Sequence, residues 1–191
     1  MRTFLRSFAL TIALFCAATF LASVAHSATI TVINLDGPGE GFNDPTPAAP
    51  VGGNPGTTRG AQAFYVFQHA ANIWASLLPS TVEIRIEANF DSLDCDSVSG
   101  VLGSAAPNSI HSDFPNAPYP MTWYHQALAN KLSGEDQDPS ADIGITFNSA
   151  IGRPNCIRQG WYFGVDGKEG GQIELLPVVL HNFGNSISLL V

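Results

Sequence analysis

Apolar and polar positions alternate over Ala28–Leu35 (ATITVINL), a run rich in Ile, Val and Thr that predicts a β-strand. The period then vanishes over Asp36–Gly60, a stretch dense in Gly and Pro that reads as a long functional loop or a solvated linker. From Ala61 to Leu78 it returns at helical spacing. Phe64, Phe67, Ala71, Trp74 and Leu78 form an aromatic stripe on an amphipathic helix that Pro79 and Ser80 terminate. Thr81–Ala88 alternates Val82, Ile84 and Ile86 with Glu83, Arg85 and Glu87, the pattern of a strand with one wet face.

Asp91–Pro107 and Ser109–Pro120 show no period. A second helix is expected over Met121–Gly134, then an acidic loop, then a strand over Ala141–Ser149. A short strand in QGWYFGV and an Asp-Gly turn at Asp166–Gly171 lead to a last helix beginning near Glu174 or Leu175. Pro177 falls in its first turn, where the missing N–H costs little. The order of elements predicts a single domain of α+β or α/β class.

The N-terminus adds a compartment. Arg2 and Arg6 precede the apolar run Phe8–Val24, and small residues follow at Ala25–Ala28. This is the layout of a secretory signal peptide over residues 1–27, leaving residues 28–191 as one domain, secreted or periplasmic, with no membrane attachment after cleavage. Without Arg2 and Arg6, six basic residues face sixteen acidic ones, a net charge of −10. Nucleic acid, which requires basic phosphate contacts, is excluded as a partner. With Cys16 removed alongside the signal, Cys95 and Cys156 remain. In an oxidising compartment they form one disulfide, the alternative being two free thiols.

Candidate chemistry concentrates near the end of the chain. Helix-borne zinc hydrolysis needs two histidines four residues apart and a Glu beside the first. The pentad His181-Asn182-Phe183-Gly184-Asn185 has that outline with two positions changed. IELLPVVLHNFGN resembles the active helix of secreted bacterial zinc metallopeptidase-like proteins of the zincin type, whose helix reads H-E-F-G-H. NPGTTRGAQ, TVEIRIEANF, WYHQALANKL, ADIGITFNS and the GWYFGVDG hairpin extend the resemblance over nearly the whole segment after the signal.

The resemblance implies an α+β fold, a zincin-like N-terminal subdomain whose mixed sheet is backed by the aromatic helix and the terminal helix, shortened at its C-terminal side, with zinc as the ancestral cofactor. Only His181 matches a metal ligand. Asn182 stands at the base position and cannot take a proton near neutral pH, and Asn185 stands at the second ligand position. The resulting expectation is a catalytically inactive, metallopeptidase-related binding protein with no cofactor. Its apolar end at Leu189–Val191 would be covered by a protein partner.

Two other readings compete: an active zinc peptidase using His181 and further ligands, and a calcium-stabilised extracellular binding domain. For calcium the candidates are Asp136, Asp138 and Asp142 in the acidic loop, which matches no EF-hand and otherwise reads as solvated. Asp91, Asp94 and Asp96 form a weaker cluster. Ser109, His111 and Asp113 lie too close in sequence for a hydrolytic trio, and His69 and His125 read as packing or surface residues.

Overall fold

The structure is a computed structural model that describes residues 27–187. The segment expected to be a signal peptide, except Ser27, and the end at Leu189–Val191 expected to meet a partner lie outside the described residues. Among the described residues no helix is long and apolar enough to cross a membrane.

A four-stranded mixed sheet organises the fold. It contains β1 (Ile30–Asn34), β2 (Ile84–Asp91), β3 (Gly103–Pro107) and β6 (Ile143–Asn148), in the order β1-β2-β6-β3. β1, β2 and β6 run parallel, with Ile30 opposite Ile84 and Ile86 opposite Ile143. β3 closes one edge antiparallel to β6, with Gly103 opposite Phe147. Parallel neighbours need a crossover, and α1 (Arg59–Leu77) supplies it between β1 and β2.

Alternation sets the layers. Ile84, Ile86, Ala88 and Phe90 of β2 and Ile143, Ile145 and Phe147 of β6 are buried, while Arg85, Glu87, Asn89 and Thr146 are only half-buried. The apolar side meets α1 and the terminal helix α3 (Leu175–Ile187), which also pack on each other. Phe67 sits at the junction, its ring 4.9 Å from Phe147 and 6.1 Å from Phe183, both edge-on. The deepest positions of α1 are Val66, Phe67 and Ala70, with Phe64 and Trp74 at the margin. The buried stripe is therefore rotated about one residue from the expected one, because the small residues Ala63 and Ala70 let the helix lie close to the sheet.

The Gly/Pro-rich segment before α1 is pinned. Asp36 accepts from the backbone N–H of Phe42 at 2.7 Å and of Phe90 at 2.8 Å, and burial pushes its carboxyl above the ordinary range. Phe42, in a 3-10 turn at Gly41–Asn43, is buried against Phe67. Thr58 Oγ1 caps α1 by accepting from Ala61 N–H at 3.1 Å.

Three expectations change. Met121–His125 is not helical: Tyr124–His125 form β5, paired antiparallel with β4 (Ile110–His111), and the helix that follows, α2 (Gln126–Ser133), begins only there. Its C-terminus at Gly134, left-handed with φ 78°, is where the sequence placed it. The GWYFGVDG segment makes no hairpin: β7 (Trp161–Tyr162) pairs parallel with β8 (Ile173–Glu174), so the Asp-Gly turn belongs to a crossover. The third change is β3 itself, inside the stretch read as irregular. Cys95 and Cys156 form a disulfide with Cα atoms 5.1 Å apart, at a sequence separation of 61. In the chain-entropy model it contributes ~4 kcal/mol.

Candidate functional site

α3 turns one stripe inward, through Leu175, Val179, Asn182, Phe183 and Ser186, and another outward through Pro177, His181 and Asn185. The outward stripe borders β3. Gly103 permits this approach: a Cβ there would lie 3.2 Å from Asn182 Nδ2 and 3.1 Å from the Phe147 ring. Between Leu102–Ala105 and the His181–Asn185 face runs an open groove of about 530 Å³.

The pentad residues engage each other and their own helix. Asn185 Nδ2 donates to His181 Nε2 at 2.9 Å, and Asn182 Nδ2 donates to the carbonyl of Val178 at 2.8 Å. Zinc requires free nitrogen, sulfur or carboxylate donors converging on one point. Here one imidazole meets an amide that offers it a proton, and the buried amide of Asn182 faces away from it into the helix. These residues do not fit a zinc ion. Among the described residues no group of three or more His, Cys, Asp or Glu side chains is placed to hold a metal.

The acidic loop candidates do structural work. Asp142 is 2 % exposed and accepts from Arg85 N–H at 2.7 Å and from Asn130 Nδ2 at 2.9 Å; burial raises its carboxyl pKa. Asp136 Oδ1 accepts from Asn130 Nδ2 and Asp138 N–H, both at 3.3 Å. Asp138 Oδ1 accepts from Ser140 Oγ at 2.6 Å and Ser140 N–H at 2.8 Å, bonds that hold its carboxyl below the usual range. Each carboxylate thus satisfies donors of its own chain.

In the Asp91, Asp94 and Asp96 stretch, Asp96 likewise closes a turn onto Val98 and Ser99 N–H. Ser109 Oγ and His111 Nε2 lie 3.0 Å apart, but Asp113 accepts from Met121 N–H and does not complete a trio. His69 stacks on Tyr65, and His125 Nδ1 donates to the Ser186 carbonyl at 3.2 Å, tying β5 to the last turn of α3.

Two features had no counterpart in the sequence reading. A cavity of about 360 Å³ opens at the carboxyl ends of β2 and β6, over Phe90, Trp161 and Phe163. Its Arg59 is already committed, with Nε 3.5 Å from Asp44 Oδ2 and the guanidinium 5.7 Å over the Phe163 ring. The second is the β4–β5 loop, which exposes Tyr119, Met121 and Trp123. A signal is present, since no charged residue occurs from Phe114 to Tyr124, but its end, Met121–Tyr124, falls in the stretch whose pattern predicts a helix. Comparison with protein-family models, curated proteins and solved structures gives no match.

Proposed function

We propose that the protein is an exported, non-catalytic relative of zincin-type metallopeptidases that binds polypeptide in the groove between β3 and α3. The observation that carries this reading is the state of the pentad: the base position holds a buried amide bonded to Val178, and the second ligand position holds an amide bonded to His181. An amide neither takes a proton from water near neutral pH nor supplies the nitrogen donor a zinc helix needs. The placement of α3 beside an antiparallel edge strand supports a binding role. Among the described residues the outer side of β3 pairs with no other strand of the sheet, and such an edge receives an extended chain by backbone hydrogen bonding. The disulfide suits an oxidising compartment and so supports export.

Metal analysis of the purified protein after zinc loading, with a casein-cleavage assay run with and without chelator, tests the non-catalytic reading. The expected result is no stoichiometric zinc and no chelator-sensitive cleavage. Cleavage lost both to chelator and to His181→Ala would overturn it.

A further inference from the structure

Backbone strain in this protein is concentrated in one loop. Among the described residues three non-glycine residues adopt left-handed φ: Asp113 at 53°, Asn116 at 67° and Met121 at 54°. All three lie between β4 and β5. Asp and Asn enter that region with help from their short polar side chains, whereas Met has no such relief and its Cβ crowds the following carbonyl.

The loop is nonetheless held firmly. Asp113 Oδ1 accepts from Met121 N–H at 2.8 Å, and Tyr124 Oη accepts from Tyr119 N–H at 3.2 Å. Phe114 packs edge-on against Tyr124 at 5.3 Å in a small core completed by Ala129. This framework holds Tyr119 68 %, Met121 85 % and Trp123 65 % exposed, with the half-exposed Ile110 on the adjoining strand. Strain and exposed aromatic surface thus coincide without serving the core, the combination found where a surface is shaped for contact.

We propose that this loop is a docking surface for a polypeptide, anchoring the apolar side chains of an extended segment that carries flanking basic residues. Tyr, Trp and Met are the types enriched at the centres of protein interfaces, and charged residues are depleted there, as they are from Phe114 to Tyr124.

The border supplies the charge preference. Asp113 stands at the base of the loop. The acidic loop is stapled alongside, because Gln126 Nε2 donates to the carbonyls of Asp138 at 3.0 Å and Ser140 at 3.1 Å. Gln126 is three residues from Trp123. His111 and Lys131 are the cationic or titratable groups on the adjoining β4 and α2, against Asp113, Glu135, Asp136 and Asp138. The loop also stands at one end of the groove: β3 leads into β4 through Asn108 and Ser109, and His125 is bonded to Ser186. A chain lying in the groove would reach it, and this last clause alone rests on the polypeptide-binding reading above.

The test uses the full, disulfide-bonded chain and a fluorescein-labelled peptide with lysine pairs flanking alternating Phe, Ser and Leu, followed by anisotropy. Saturable binding is expected, weakened about tenfold or more in Met121→Ser/Trp123→Ser. It should also weaken several-fold when salt is raised from about 0.05 to 0.5 M, or when glutamates replace the lysines. Both substituted side chains are exposed, and an unchanged melting temperature or a higher one shows that the variant is folded. Equal binding by wild type and variant, equal binding of the glutamate-flanked peptide, no binding, or binding to phosphatidylcholine vesicles in place of the peptide would each overturn the proposal. Asn185→Trp, which fills the groove, separates the two surfaces: loss of binding in that variant with none in the loop variant leaves the groove reading standing and removes this one.

Discussion

Asn182 donates its side-chain amide to the carbonyl of Val178, one turn earlier in α3, and is buried while doing so. A carboxylate in its place would set an acceptor against an acceptor at a buried position. Asn182→Glu is therefore expected to lower stability by about 2 kcal/mol or more at neutral pH, with part of the loss recovered on acidification as the carboxyl protonates. Urea melts of both proteins at two pH values check this, and an unchanged midpoint would refute the account of the buried amide.

Asn185 behaves differently because it is on the exposed stripe. Asn185→His places two imidazoles four residues apart on one helix face, at little structural cost. The variant is expected to take up zinc where the wild type does not, measured by calorimetric titration. Uptake by both proteins would show that His181 already has a ligand set.

Asn54 holds the long N-terminal loop to the rest of the fold. Its Nδ2 donates to the carbonyls of Gln62 at 2.8 Å and Phe163 at 2.7 Å, and its Oδ1 accepts from Gly56 N–H at 3.0 Å. Asn54→Ala removes three hydrogen bonds and leaves buried groups unpaired, a loss of about 3 kcal/mol. Thermal melts measure it. A loss below about 1 kcal/mol would mean that the loop is held by other contacts.

Met121 should trade stability against binding. Met121→Gly relieves the left-handed backbone and is expected to raise stability by about 1 kcal/mol while weakening peptide docking. Chemical denaturation and the anisotropy assay together report both effects, and a destabilised Met121→Gly would show that the Met side chain supports the loop.

Tyr162 donates to Asp166 Oδ1 at 2.7 Å, and chiefly through that bond its pKa is pushed up to about 12. The fold therefore retains a proton that the unfolded chain releases near 10. The contribution is fully present below pH 10 and is lost as pH rises through 12. Phenolate absorbance should show one tyrosine titrating late, and Tyr162→Phe should remove that step.

How far the sequence could be read depended on whether burial followed a local period. β1, β2, β6 and the long helices carry their own apolar alternation, so their places and inner faces follow from neighbouring residues in the chain. β3 does not. GSAAP has no apolar pattern, and it is a strand because β6 offers an open edge and because Gly103 leaves room for Asn182 and Phe147. Met121–Trp123 departs from the helix its pattern predicts because apolar residues at helical spacing look alike whether they face a core or water. The pairing of Tyr124 and His125 with Ile110 and His111 turns them out of a helix.

The same division holds at the candidate site. Residue types alone settle that Asn182 and Asn185 carry amides, which neither take a proton near neutral pH nor offer zinc a nitrogen donor, because that is a matter of functional groups. Which atoms those amides bind is a matter of position. Asn182 faces Val178 and Asn185 faces His181 because helical spacing and the press of β3 against α3 send one inward and the other out. Local order along a chain dictates chemistry and period, whereas an edge, a groove and a strained loop exist only once distant segments have packed together.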